Sequence, residues 1–196
     1  TFSKILTALV NKSDLGKIPS IAWRDSVSGE CIVNEEELIF NNDLDRFPSP
    51  YLKGLYDDLI KSRKDLNFQA ILETNRGCPF MCTFCYWGMG GLNRKFSFHS
   101  IERIKQEFEW CGKNGIVYIF NADSNFGQHN RDMEIVDALI KTKEKFGYPE
   151  KFRTCYGKNT DEKIYEIARK MFENKLEKGI TLSRQSNDRE VLKIIK

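Results

Sequence analysis

The sequence predicts an α/β protein built on parallel strands, with a small helix-and-hairpin segment ahead of it. Three observations predict this. From Asn67 onward, short apolar runs alternate with segments whose apolar residues recur at helical spacing. Several of the helical segments carry capping or stop residues at the expected offsets. The run Ile116 to Phe120 is apolar without a break, as in a strand covered on both faces. Alternating strands and helices with right-handed crossovers give a parallel sheet with helices outside it.

The elements follow in order. Phe2, Ile5, Leu6 and Leu9 lie on one helical face between Thr1 and Val10, and no cap residue precedes them. Apolar runs over Lys17 to Trp23 and Cys31 to Val33 flank Ser28-Gly29 and predict a hairpin. Glu35-Glu36-Glu37 is a solvated charge run. The stretch from Asp45 to Pro50 has turn chemistry. Ser49 as cap and Pro50 at the first helical position predict a helix with Tyr51, Leu52, Leu55, Tyr56, Leu59 and Ile60 on its apolar face. Gln69 to Glu73 predicts the first strand of the main sheet. Ile101, Ile104, Phe108 and Cys111 mark a helix ending near Gly112. Ile116 to Phe120 is the second strand, followed by a polar loop from Asn121 to Gly127. A helix from about Asn130 to Phe146 stops at Gly147. Lys151 to Tyr156 is the third strand. Asn159 and Glu162 form a capping box for a helix with Ile164, Ile167, Ala168 and Met171 inward. Gly179 to Leu182 is a fourth strand, and Asn187 with Glu190 caps a last helix. In such sheets, active residues gather at the carboxyl ends of the strands. The loop after the first strand, the Asn121–Gly127 loop and Ser183-Arg184-Gln185-Ser186 all fall there.

The loop after the first strand carries the chemistry. It reads Asn75-Arg76-Gly77-Cys78-Pro79-Phe80-Met81-Cys82-Thr83-Phe84-Cys85-Tyr86-Trp87-Gly88, with Cys78, Cys82 and Cys85 at Cys-x3-Cys-x2-Cys spacing. Thiolates are the ligands of soft metals and iron–sulfur clusters. Three cysteines fill three irons of a 4Fe–4S cubane and leave the fourth open. The same spacing also fits three buried thiols on one helical face, but Gly77, Pro79 and the glycines at 88, 90 and 91 favour a loop. A structural zinc site wants four ligands in paired motifs. Cys31, Cys111 and Cys155 are isolated, and His99 and His129 are the histidines of the chain.

The cysteine loop resembles the signature of the radical SAM superfamily, including the aromatic Phe84 before the third cysteine. The resemblance covers about Asn67 to Lys196. It implies a partial (β/α) barrel of parallel strands, of which this chain holds the first half and a little more. It further implies a 4Fe–4S cluster held by Cys78, Cys82 and Cys85, with S-adenosylmethionine (SAM) on the open iron. The reduced cluster then cleaves the sulfonium and releases a 5′-deoxyadenosyl radical. Phe84 and Tyr86 would lie beside the adenine. Asp123, in Asn121-Ala122-Asp123-Ser124, departs from the Gly-Gly-Glu of many members but would bind the SAM amino group, with a local turn or cap as its other reading. Ser183, Arg184 or Gln185 would contact the ribose or the carboxylate. Arg76 would tune the cluster potential, or is simply solvated.

Residues 1–66 resemble the connector that follows a cobalamin-binding domain in cobalamin-dependent radical SAM proteins, leaving 67–196 as the N-terminal part of the radical SAM domain. The Thr-Phe helix start, Ile18-Pro19-Ser20-Ile21-Ala22-Trp23 and Leu44 through Tyr51 carry that likeness. Cobalamin would then belong to a domain outside this chain, and the chain itself to a longer protein, here a piece of it. The implied activity is radical chemistry, a cobalamin-dependent methyltransfer in the whole protein. The implied partners are a small-molecule or peptide substrate and a reductant such as flavodoxin or ferredoxin.

Composition sets the remaining bounds. The 196 residues are 40% apolar with fourteen Phe, enough for a core. A net charge of +3 gives no nucleic-acid footprint, and no run approaches the ~20 apolar residues of a membrane helix. Six cysteines with three in one short loop read as reduced thiols in a cytoplasmic protein. Two rival functions remain at this point. A non-catalytic iron–sulfur electron-transfer module needs Cys111 or Cys155 as a fourth ligand. A zinc-binding structural domain needs a fourth ligand as well.

Overall fold

Three parallel strands carry the main sheet. The computed structural model describes residues 1–37, 42–85, 95–158, 162–177, 180 and 182–195. Strand β3 (Gln69–Leu72) pairs with β6 (Tyr118–Phe126), and β6 pairs with β7 (Lys151–Tyr156), both in parallel. In register, Ala70, Ile119 and Phe152 lie side by side, as do Ile71, Phe120 and Arg153. Helices α3 (Ile101–Lys113), α4 (Arg131–Phe146) and α5 (Glu162–Glu173) connect or follow these strands. The α/β class and the strand–helix alternation are as the sequence predicts.

The core lies between the helices and one face of the sheet. Ala70, Leu72, Ile119 and Phe152 from the strands meet Ile104 and Phe108 of α3, Ile135 and Leu139 of α4, and Ile164, Ile167 and Met171 of α5. Phe108 and Phe126 both contact the Phe152 ring, at centroid distances of 6.2 and 6.0 Å. Each helix has an identifiable end. Ser100 accepts from the Arg103 amide to start α3. Gly147, at φ +79°, closes α4 in the left-handed conformation.

The chain divides into two compact units, Thr1–Phe40 and Asn41–Lys196. The first holds α1 (Phe2–Val10), a short 3₁₀ turn at Leu15–Lys17, and an antiparallel hairpin of β1 (Ala22–Arg24) and β2 (Cys31–Val33). The compact division thus falls earlier than the 66/67 boundary read from the sequence. Residues from 42 on pack with the main sheet: the Tyr51 hydroxyl accepts from the Ile71 amide and donates to its carbonyl, and its ring lies 5.0 Å from Trp110.

Four expectations need revision. The helix predicted from Ser49 is a run of turns, and α2 spans only Asp57–Ser62. Gly54 adopts φ +71°, which breaks the helix before it starts. The polar segment after Phe120 is not a loop: β6 continues through it to Phe126. The last helix, α6 (Arg189–Ile194), is capped by Asp188 rather than Asn187, because Asp188 accepts from both the Glu190 and Val191 amides. Ile180 and Leu182 lie in no strand, while 179 and 181 of the predicted fourth strand lie outside the described residues. So does Asn159 of the predicted capping box.

Candidate cluster and SAM site

The cysteine loop leaves the carboxyl end of β3 and is clamped at its base. Just past β3, β4 (Asn75–Arg76) pairs antiparallel with β5 (Ser97–Phe98), Asn75 opposite Phe98 and Arg76 opposite Ser97. The loop from 77 to 96 is therefore closed by a two-residue ladder, although 86–94 lie outside the described residues. Gly77 makes that closure possible. Its φ of +120° is a glycine conformation, and a Cβ there would strike the Lys95 carbonyl. Cys78 and Cys82 are buried and Cys85 is half-buried. The Cys85 amide donates to the Cys82 carbonyl at 3.0 Å, a tight turn between the second and third cysteines.

All three thiols are free. Among the described residues, no three His, Cys, Asp or Glu side chains converge as the ligands of a single ion. In a cubane, by contrast, each cysteine binds a different iron, so its ligands stand farther apart than those of a single zinc. Three thiols on one clamped loop, two of them shielded from solvent, fit that donor set.

A buried polar layer supports the loop from beneath. Asp123 of β6 is 1% exposed. Its carboxylate accepts from the Thr74 amide at 2.7 Å, the Asn75 amide at 3.1 Å, Asn75 Nδ2 at 2.8 Å and the Thr74 hydroxyl. Four donors fill the acceptor capacity of a carboxylate. As placed, Asp123 holds the root of the cysteine loop through these bonds. Burial pushes its carboxyl up, and hydrogen bonds from the Thr74 hydroxyl and amide, the Asn75 amide and the Asn121 side chain oppose that rise. Asn121 reaches Thr154 on β7 at 3.1 Å. Asp132 accepts from the Gly127 and His129 amides at 2.8 and 2.9 Å and fixes the exit of β6. Buried polar atoms with no partner among the described residues gather at this end of the sheet: Asn75 Oδ1, Asn121 Oδ1 and Asn125 Nδ2. A bound polar ligand would satisfy such groups, and the chain offers both acceptors and a donor.

The other predicted residues fall as follows. Phe84 is on the loop and largely exposed. Tyr86 lies outside the described residues. Ser183 lines an open hollow over the face of β7, together with Tyr118, Arg153, Cys155 and Glu177. Arg184 and Gln185 are exposed, and none of the three meets the cysteine loop among the described residues. Arg76 is held by Glu73 at 2.7 Å and stacks on Phe47, so its charge is spent away from the thiols. His99 is buried and bonded to Asp45 at 3.0 Å. The His129 ring stands edge-on to Phe96 and Phe98.

One neighbour of the thiols went unread in the sequence. Lys158 Nζ contacts Cys82 Sγ and lies over the Phe80 and Phe84 rings. A lysine two residues past a strand end has no local signature. The only available signal was its place on the rim.

Cys111, a candidate fourth ligand, sits in the core with no exposure. Burial, then the nearby Glu107 charge, push its thiol up to about 12, the opposite of a ligand thiolate. Cys155 is exposed on the sheet face away from the helices. Among the described residues, no helix is long and apolar enough to cross a membrane.

Comparison with known proteins agrees with this site. The chain is 33% identical over 193 residues to the cobalamin-dependent radical SAM methyltransferase TokK of Streptomyces tokunonensis, covering 97% of this chain and 28% of TokK. It is 39% identical over 150 residues to the 2-(S-pantetheinyl)-carbapenam-3-carboxylate methyltransferase of Streptantibioticus cattleyicolor, covering 76% and 22%. It therefore spans about a quarter of the length of these relatives. In fold it resembles the radical SAM methyltransferase TsrM from Kitasatospora setae, with a TM-score of 0.54 over 85% of this chain and 33% of TsrM, at 14% identity. The Radical SAM superfamily profile matches residues 72–196, which begin at the end of β3 and include the whole cysteine loop. On that match and on the clamped Cys-x3-Cys-x2-Cys loop, the chain belongs to the radical SAM superfamily, whose cofactors are a 4Fe–4S cluster and SAM.

Proposed function

We propose that this chain is the cluster-bearing part of a radical SAM enzyme that uses cobalamin in a methyl transfer. The observation that carries the reading is the cysteine loop itself, seated at the carboxyl end of the first sheet strand and closed by the β4–β5 ladder. The cobalamin and methyltransfer parts rest on the two relatives of 33% and 39% identity. The match to TokK covers 97% of the chain, and so takes in nearly all of the first 66 residues.

Cys78, Cys82 and Cys85 would hold three irons of the cluster. With SAM on the open iron, the cluster supplies the electron that breaks the sulfonium. The rest is positioning and shielding by the protein. Asp123 holds Thr74 and Asn75, and so the root of the loop. Phe84 offers a ring for the adenine, Asn75 and Asn125 offer unpaired polar atoms at the strand ends, and Ser183, Arg184 and Gln185 offer contacts for the ribose or carboxylate if the 180s fold inward. Tyr86 remains a candidate beside Phe84. The substrate is a small molecule, and a low-potential one-electron donor completes the reaction.

The test is anaerobic reconstitution with iron and sulfide, followed by EPR of the reduced protein with and without SAM. We expect a reduced 4Fe–4S signal whose shape changes on adding SAM, and its loss in C78A, C82A and C85A. A cluster indifferent to SAM in the whole protein, or zinc without acid-labile sulfide, would overturn the assignment.

A further inference from the structure

We propose that Lys158 sets the reduction potential of the cluster through its contact with the Cys82 sulfur. This rests on the radical SAM reading above and adds to it a residue that none of the three cysteines implies.

The ammonium is fixed at one place. Gly157, just before it, donates its amide to the Phe126 carbonyl at 3.0 Å, which ties this turn to the end of β6. A Cβ at 157 would meet the Gln128 side chain, which packs closely over this turn. From this anchor the Lys158 side chain crosses to the cysteine loop. Its Nζ meets Cys82 Sγ and lies 5.3 Å from the Phe84 ring centroid and 5.7 Å from that of Phe80. Both ring distances are within the reach of a cation–π attraction. Among the described residues, no carboxylate pairs with it, whereas Arg76, at the base of the loop, is paired with Glu73. Among the described residues, Lys158 is the positive charge in contact with a thiol of the loop.

A ligand sulfur keeps lone pairs after binding iron, and hydrogen bonds to it are a recognised control on cluster potential. A cluster gains one negative charge when a donor reduces it. A fixed ammonium at Cys82 favours that more negative form and raises the potential, most strongly where water is scarce. Lys158 is a positioning residue in this role: it acts on the cluster through a ligand.

The test is a redox titration monitored by EPR on the reconstituted whole protein. K158M removes charge and donor, K158Q keeps a neutral donor, and K158R keeps the charge. We expect a potential more negative than wild type in K158M, a smaller shift in K158Q and a value near wild type in K158R, all at wild-type iron and sulfide content. An unshifted K158M potential with a full cluster overturns the proposal. So does loss of iron from both K158Q and K158R with unchanged circular dichroism, since the lysine would then serve assembly. A wild-type protein that takes up no cluster fails the radical SAM reading instead, which keeps the two claims apart.

Discussion

Asp123 ties the chain just ahead of Cys78 to the second strand of the sheet, and its four donors all come from Thr74 and Asn75. Removing the carboxylate leaves buried amides and side-chain donors unmet, at about 1–3 kcal/mol each. Asp123→Ala should lower the unfolding free energy by at least about 3 kcal/mol, and Asp123→Asn by less, because its carbonyl still accepts. Urea denaturation of the apo protein measures both. An Asp123→Ala variant within about 0.5 kcal/mol of wild type would mean that the network carries no weight. At this scale the sequence was legible where chemistry is local. Three cysteines within eight residues announce themselves. The hydrogen bonds from Thr74 and Asn75 to Asp123 were not legible, because those partners lie 49 and 48 positions away. Lys158 was missed for the same reason, being 76 positions from Cys82.

Whole elements were easier to read than their ends. α3, α4 and β7 fall where periodicity and caps place them, since each buries a continuous apolar face. The extension of β6 was hidden because Asn121, Asp123 and Asn125 look like a solvated loop. They alternate inward and are buried at 0%, 1% and 3% exposure, which hydrogen bonds with residues outside β6 make tolerable for Asn121 and Asp123. The start of α3 is a similar case. Asp45 accepts from the Ser100 amide at 3.1 Å and from His99 at 3.0 Å, fastening residues 43–47 to the helix N-terminus. Burial alone would raise the Asp45 carboxyl. Hydrogen bonds from Ser100 and His99 and the nearby imidazole outweigh it and hold the group below the usual 3.8. A depressed folded-state pKa gives stability that is present above the unfolded value and lost as pH falls through the folded one. The stability of the wild type should therefore drop more steeply than that of Asp45→Asn as pH falls from about 5 to 3. Denaturant midpoints at pH 7, 5, 4 and 3 test this, and parallel curves for the two proteins would refute it.

Among the described residues of Asn41–Lys196, the helices cover one face of the sheet. Ala70, Leu72, Ile119 and Phe152 face the helices, while on the other side Ile71 is 66% exposed and Arg153 and Cys155 are open. A parallel sheet with an apolar residue such as Ile71 on a bare face is an unfinished structure, since such sheets are normally covered on both sides. The described residues form three strands of it, and the chain spans about a quarter of its relatives. The sequence reading reached the same point from the count of βα units, because each unit declares itself locally. In a closed barrel, this face turns inward. Cys155 reports on that directly. In the 196-residue chain alone its thiol should react with iodoacetamide at the rate of an exposed cysteine, and in the whole protein more than tenfold slower, as peptide mapping after timed alkylation would show. Cys31, exposed on β2 in the other compact unit, is a second thiol to follow in the same experiment. Equal rates at Cys155 in both forms would mean that this face stays open to solvent, and that the site is completed from some other direction than the interior of a barrel.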